Sequence, residues 1–349
     1  MIPVFGLMML GDGSMLNGLS ILVTENPEKF KSMGGPTDPV PFYTIFTGMM
    51  LVQLFYWGTN QQIIQRALGA KNLAEGQKGL LLGSFIKILG PIIVVLPGII
   101  AFHLFSGGLE KPDDAYPMLV SKVLPPSLLG FFAAVLFGAI LSSFNSVLNS
   151  SVTLFGIDIY KEHINKEATE KTVVKYGKYF GILLAIASMC IAPLIAKAGS
   201  LFDYLQEING IYSIPILTII VVGYATKKVP AIAAKIGLFS GCFLYIVSQF
   251  FLQPYFIDSA LELAAINGIT SNTELALIKA TAYPHFLDVM AILFVLNILI
   301  MLMVGKLKPR EKQFVQEYTH EVDITPWKHT KIVGAAICVI VIGVYVYFA

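Results

Sequence analysis

The 349-residue sequence predicts an all-α integral membrane protein, and two observations lead there. First, 56% of the residues are hydrophobic and only 13% charged, with a mean hydropathy of +0.73. That is more apolar surface than one water-soluble core of this length buries. Second, the basic residues collect in alternate connections between long apolar runs, as membrane topology requires. The net charge of +2 is too small to suggest a nucleic-acid or other polyanionic partner. Cys190, Cys242 and Cys338 sit inside apolar runs and read as small buried hydrophobes, not as a disulfide framework. The histidines His103, His163, His285, His320 and His329 show no metal-ligand spacing, so no catalytic metal is expected.

Taken in order, Met1 to Leu10 is apolar but meets Gly11-Asp12-Gly13 too early to cross about 30 Å of hydrocarbon, which takes about 20 helical residues. It lacks the basic start and small-residue cleavage site of a signal peptide. The segment reads as the tail of a longer helix, followed by an outer loop, in a protein expected to begin earlier. Apolar length and flanking charge then give eight spans, at 40–68, 80–106, 127–160, 177–199, 201–225, 228–253, 287–306 and 330–349. Connections holding Arg66, Lys71 and Lys78, then Lys161 to Lys178, then Lys227, Lys228 and Lys235, then Lys306 to Lys331, are assigned to the cytoplasm. The longer opposite connections, 107–126 and 254–286, carry Pro125-Pro126 and Gln253-Pro254 as helix breakers and are expected to form partial lids.

Polar groups at membrane depth are costly unless they face a cavity or a partner, so the spans that contain them locate function. In 40–68, Tyr56-Trp57-Gly58-Thr59-Asn60-Gln61 interrupts the apolar run, with Gln53 a turn earlier. These residues can break helical pairing and satisfy the freed backbone groups, giving a discontinuous helix; an interfacial aromatic belt is the other reading. In 80–106, Lys87 is a single cation near Gly90-Pro91 and Pro97-Gly98. It either snorkels to the interface or donates hydrogen bonds into a wet cavity around which the helix bends. In 127–160, Ala139, Ser142, Ser143, Ser146, Asn149 and Ser150 form a small polar stripe. The stripe either lets helices approach closely or lets the Ser142 and Ser143 hydroxyls, with an Ala139 carbonyl freed by local bending, bind a small cation. At the start of 201–225, Asp203, Gln206 and Gly210 share a face with Phe202 and Glu207 beside it. This is either a solvated helix end or a place where Gln206 holds a solute under Phe202.

At these residues the chain resembles the sodium:solute symporter family, and within it the bacterial sodium/galactose and sodium/glucose cotransporters. The resemblance rests on Tyr56-Trp57-Gly58-Thr59-Asn60-Gln61-Gln62-Ile63-Ile64-Gln65-Arg66-Ala67-Leu68, Ala70-Lys71, Gln77-Lys78-Gly79, Lys87 with Pro91, and Leu96-Pro97-Gly98. It continues through Ala139-Ile140-Leu141-Ser142-Ser143, Leu148-Asn149-Ser150, Asp158-Ile159-Tyr160-Lys161 and Tyr204-Leu205-Gln206-Glu207, covering about 35 to 250.

The resemblance implies a leucine-transporter-like inverted-repeat fold, here mainly the second repeat. Residues 1–39 would be the end of a first-repeat helix plus an outer loop, 40–225 the second five-helix repeat with its broken first helix, and 226–349 three additional transmembrane helices. It implies sodium-coupled symport of a galactose- or glucose-like sugar across the plasma (inner) membrane, with no enzymatic chemistry. Gln53, Lys87 and Gln206 fall at positions that hydrogen-bond sugar hydroxyls, Tyr56 at the inner stacking aromatic, Trp57 below it, and Phe202 at the outer hydrophobic gate. Ala139, Ser142 and Ser143 fall at the second repeat's share of a sodium site. Gln53 stands where the bacterial galactose transporter has a shorter amide, which points to a different sugar or polyol. The other readings are a symporter for inositol, sialic acid or another solute, and an inactive fragment or half-transporter lacking the first repeat. A membrane-embedded enzyme has few acid, base or nucleophile candidates beyond Lys87, Asp203 and Glu207.

Overall fold

A computed structural model describes residues 1–38, 40–105, 108–109, 111–195, 201–315 and 322–349, without the side chains of Phe202 and Asp203. Every regular element among the described residues is helical. Helices α1 (Ile2–Leu10) and α2 (Met15–Glu25) meet at a bend of 78°. The turn uses positive φ at Asp12 (49°) and Gly13 (93°), and the Ser14 hydroxyl then accepts from the Asn17 N–H to restart the helix. Residues 15–25, expected in an outer loop, are therefore helical. A 3₁₀ turn (Phe42–Phe46) leads into α3 (Gly48–Gly58) and α4 (Gln61–Leu68), two short pieces in place of the expected span 40–68.

Helix α5 (Leu73–Lys87) is followed by a π turn (Pro91–Val95) and α6 (Leu96–Phe105), with a bend of 42° where Pro91 withholds its N–H. Helix α7 (Ala115–Val123) precedes the long α8 (Pro126–Leu154), which runs on as a π helix (Phe155–Ile164). Then come α9 (Glu170–Ile195), α10 (Leu201–Ala225) and α11 (Ala231–Val247). A π turn (Ser248–Leu252) links α11 to α12 (Gln253–Ile266), and α13 (Asn272–Thr281), α14 (Phe286–Leu307) and α15 (Thr330–Tyr347) complete the chain.

Among the described residues, six segments are long and apolar enough to cross a membrane, or up to eight if each of the two bent pairs counts once. The membership differs from the expected eight, since the 40–68 segment drops out and the α1–α2 pair enters. The helix break expected at Gln253-Pro254 is also absent. Pro254 lies at the start of α12, and the widened π turn before it absorbs the missing donor, so the helix continues unbroken from Ala231 to Ile266. At 1.5 Å per residue that run is about 54 Å, well beyond a hydrocarbon core of about 30 Å, so part of it projects from the bilayer.

The chain divides into two compact units. Met1–Phe30 with Gly79–Leu201 forms the first. Its core gathers Leu22 of α2, Ile100 of α6 and Leu119 of α7, all fully buried. Helices α8 and α9 pair through stacked rings, Phe155 on Phe180 at 4.1 Å and Tyr160 on Tyr176 at 4.4 Å. The approach is close because Gly177 and Gly181 face Val152, where an added Cβ would come within 2.9 Å.

Lys31–Lys78 with Phe202–Ala349 forms the second unit, whose core joins Leu51, Val52 and Phe55 of α3 to Ile214 and Leu217 of α10, Tyr245 of α11, and Leu287, Met290 and Leu293 of α14. Gly48 seats α3 against the backbone of α14, its ideal Cβ position lying 1.9 Å from the Leu287 carbonyl oxygen. The approach to α15 is tied to α5, since Gln77 Oε1 accepts from the Trp327 N–H and the Thr330 hydroxyl, each at 2.8 Å. In the same segment the Thr325 hydroxyl and N–H hold the exposed Asp323 carboxyl below the usual carboxylate range. At the far end, the Ser32 hydroxyl and N–H donate to the carbonyls of Tyr345 and Phe348.

The outer surface is apolar, with Phe137 68% and Phe239 74% exposed, as a lipid-facing surface should be. Cys190 and Cys338 lie on such surface and only Cys242 is half-buried, which corrects the expectation of three buried thiols. Gly48→Ala is expected to lower stability by about 1–3 kcal/mol through overpacking, whereas Gly83→Ala, where an added Cβ meets nothing within 4 Å, should be neutral or stabilising. Thermal unfolding of both variants in detergent measures the difference.

Candidate functional site

The site starts from a backbone defect. At the end of α3 the N–H groups of Thr59 and Asn60 both point at the Phe55 carbonyl, at 2.9 and 3.1 Å, and the Thr59 hydroxyl adds a third bond at 2.8 Å. The Asn60 N–H thus turns from the Tyr56 carbonyl, its α-helical partner, to a carbonyl five residues back. Asn60 then leaves the helical region (φ −70°, ψ 118°) and its side-chain oxygen accepts from the Gln62 N–H at 3.0 Å, capping α4. Gly58-Thr59-Asn60 therefore breaks the helix, and the same residues repair the hydrogen bonding that the break exposes. The interruption expected from sequence is present. Phe55, one turn before it, is buried in the core and meets the Tyr212 ring edge-on at 5.9 Å, which anchors the break beside α10.

Three of the expected solute-binding residues meet on the exposed face of α3. The Trp57 indole N–H donates to Gln53 Oε1 at 3.0 Å, and the Tyr56 and Trp57 rings meet edge to face at 5.2 Å. Gln53 Nε2 makes only a long contact, 3.6 Å, to the Met49 sulfur. The result is an oriented carboxamide beside two half-exposed aromatic rings, suited to a ligand with hydroxyls and an apolar ring face. Gln206 is half-buried on α10 in the same unit. One turn on, the Tyr212 hydroxyl donates to Asn209 Oδ1, and Gly210 is buried against Tyr245 and Met290, while the Tyr245 hydroxyl donates to the Glu207 carbonyl at 2.9 Å. Sequence reasoning missed Asn209 and Tyr212; the signal was a polar residue at i+3 from Gln206. The Phe202 side chain, expected as an outer gate, lies outside the described residues.

Lys87 and the expected sodium ligands belong to the other unit. Lys87 is exposed in the last turn of α5, immediately before the bend at Gly90-Pro91, where its charge suits the negative end of the helix dipole. Ser142 and Ser143 are exposed on α8 and are not sealed within their unit. Ala139 stands in an uninterrupted helical stretch, so the local bend expected to free its carbonyl is not there. Ser142 and Ser143 are capping residue types, as Ser14 is before α2, but here they lie inside the helix Pro126–Leu154. The hydroxyls of Ser146 and Ser150 instead fold back onto the carbonyls of Ser142 and Ser146, at 3.0 and 2.9 Å, which relieves those polar groups of any need for a partner helix. Among the described residues no cluster of His, Cys, Asp and Glu could hold a metal ion.

The profile of the sodium:solute symporter family matches residues 15–241, well over half of the chain. The chain belongs to the sodium:solute symporter family. It is 43% identical over 346 residues to an uncharacterized symporter, YidK, of Escherichia coli K12, a match covering 99% of this chain and 56% of that protein. It is 34% identical over 249 residues to a sodium/glucose cotransporter of Vibrio parahaemolyticus, covering 65% of this chain and 46% of the relative. It is 32% identical over 229 residues to the human sodium/myo-inositol cotransporter 2, covering 60% and 34%. The chain thus spans about half the length of these curated relatives. Family membership and the apolar helices together make it a multi-pass membrane protein of a family of symporters, not of enzymes.

Asn60→Ala is expected to cost about 0.5–2 kcal/mol by removing the cap of α4, and Asn60→Asp to recover most of it. Thermal unfolding of the two variants side by side measures the worth of the break.

Proposed function

We propose that the chain is part of a sodium-coupled symporter that carries a sugar or polyol across the plasma (inner) membrane by alternating access. The observation that carries this reading is the self-repaired helix break at Gly58-Thr59-Asn60 next to the Gln53, Tyr56 and Trp57 face, in a member of a sodium:solute symporter family. A broken membrane helix presents backbone carbonyls and amides to a solute without exposing them to lipid. Relatives named for glucose and for myo-inositol support a neutral, polyhydroxylated ring as substrate. Such a ring gives Gln53, Gln206 and Lys87 hydroxyls to bond, offers an apolar face to Tyr56, and rests over Trp57, with Phe202 as the outer gate.

In this reading the Ser142 and Ser143 hydroxyls, with the second lone pair of the helix-bonded Ala139 carbonyl, supply part of a sodium site. Neutral oxygens hold sodium weakly enough for release on the inner side. Sodium entry would drive uptake, with the membrane potential adding about 2.3 kcal/mol per charge for each 100 mV. The leucine-transporter-like arrangement, with 40–225 as the second repeat, 226–349 as additional helices, and the remaining sodium ligands outside these 349 residues, belongs to the same proposal.

The test is uptake into proteoliposomes across a panel of sugars, inositols, sialic acid and amino acids, with and without a sodium gradient, using an N-terminally complete protein beside this chain. Sodium-driven accumulation of a sugar or inositol is expected; uptake indifferent to sodium would end the proposal. Ser143→Ala should raise the sodium concentration for half-maximal uptake about tenfold, equivalent to about 1.4 kcal/mol, with little change in apparent solute affinity at saturating sodium. Gln206→Ala and Lys87→Ala should abolish uptake while leaving membrane insertion intact; normal rates in both would make these residues structural.

A further inference from the structure

A second concavity lies in the unit that holds α3 and α10, at the opposite end of α10 from Gln206. It has a volume of about 350 Å³, within the range of about 300–1,000 Å³ typical of ligand clefts. Its walls are Ile219 and Gly223 of α10, Ala231 and Ala234 of α11, and Met301 of α14, apolar throughout. Its mouth is different. The Arg310 N–H donates to the Lys228 carbonyl at 2.9 Å and the Phe314 N–H to the Lys227 carbonyl at 3.0 Å, so the segment after α14 is laid against the turn between α10 and α11. This brings Arg310 to the rim, its guanidinium 5.6 Å from the centre of the Phe314 ring, with Thr226 also lining the cleft.

The charges around this mouth are one-sided. Lys227, Lys228, Lys306, Lys308, Arg310 and Lys312 oppose the single acid Glu311 in the two segments that meet there. The lysine distribution places these segments on the cytoplasmic side. Tyr224, which lines the cleft, is 76% exposed, and Arg310 at the mouth is exposed as well. A soluble anion would use the basic mouth and leave the apolar walls unmatched, and a neutral lipid would use the walls and ignore the cations. A molecule with an anionic phosphate head and an acyl chain satisfies both.

We propose that this cleft is a binding site for an anionic phospholipid of the cytoplasmic leaflet. Arg310 binds the phosphate through its guanidinium fork, and an acyl chain lies along Gly223, Ala234 and Met301. The site is independent of the transport reading and of every residue assigned to solute or sodium.

The experiment is native mass spectrometry of the intact purified protein in detergent, titrated with phosphatidylglycerol and, separately, with phosphatidylcholine of the same acyl chains. Wild-type protein is expected to retain phosphatidylglycerol at least tenfold more strongly. Arg310→Gln should lower phosphatidylglycerol retention about tenfold and leave phosphatidylcholine unchanged. Ala234→Phe, which fills the groove, should lower phosphatidylglycerol retention without touching the basic mouth; because it alters packing, Arg310→Gln at the exposed rim serves as the variant that preserves the fold. Equal retention of both lipids by wild-type protein, or wild-type retention of phosphatidylglycerol by Arg310→Gln, would overturn the site. Displacement of phosphatidylglycerol by equimolar inorganic phosphate would also overturn it, showing that the mouth binds anions and the groove binds nothing.

Discussion

Within a bilayer a backbone N–H or carbonyl that is not hydrogen-bonded has no water to turn to, and each such group costs several kcal/mol. Several irregular points among the described residues are met by local hydrogen bonds. At Gly58-Thr59-Asn60 the Phe55 carbonyl collects three donors and the Asn60 side chain caps the next helix. Before Pro254 the turn widens to π geometry and the helix continues, whereas at Pro91 the missing donor leaves a bend of 42° between α5 and α6. The stripe on α8 follows the same rule, with Ser146, Ser150, Ser151 and Thr153 each returning a hydroxyl to the carbonyl four residues back.

Association of the helices follows from the same solvent. Lipid tails are as apolar as leucine, so helices gain little by hiding apolar side chains from them and are held by close approach and by a few polar contacts. Glycine supplies the approach, with Gly18 against Leu7, Gly48 against Leu287, Gly210 against Tyr245, and Gly241 against Asn297 and Pro215. Polar bonds are few and specific. Asn297, buried on α14, accepts from the Ser240 hydroxyl of α11 at 3.2 Å, and Ser248 pairs with Tyr283 at 2.8 Å. On α3 the packed side, carrying Leu51, Val52 and Phe55, holds the exposed side, carrying Gln53, Tyr56 and Trp57, in register.

Much of this was legible beforehand, and the failures have separate causes. The helix break, the bend beside Lys87 and the all-helical class followed from residue chemistry that acts locally: glycine and proline geometry, side-chain caps, apolar length. The break assigned to Gln253-Pro254 failed because sequence patterns do not record a π turn that rescues a proline, and the bend assigned to Ala139 failed because its residues keep ordinary helical pairing. Cys190 and Cys338 were misplaced because an apolar run does not say which side of its helix is packed against protein. Tyr212 and Asn209 were passed over because their relevance comes from contact with Phe55 and from a shared helix face.

By itself the sequence determined what the solvent is, where backbone pairing must fail, and to which family the chain belongs, since each of these is written in composition, in short-range chemistry and in ordered motifs. Only the tertiary structure decided which polar groups meet: the Trp57 indole on the Gln53 carboxamide, the Tyr245 hydroxyl on the Glu207 carbonyl, Arg310 drawn to the rim of an apolar cleft by two backbone hydrogen bonds. The reason is distance along the chain. Local rules reach three or four residues, whereas the approach of Arg310 to Lys228 joins two connecting segments some eighty residues apart in the chain, and only packing brings them together.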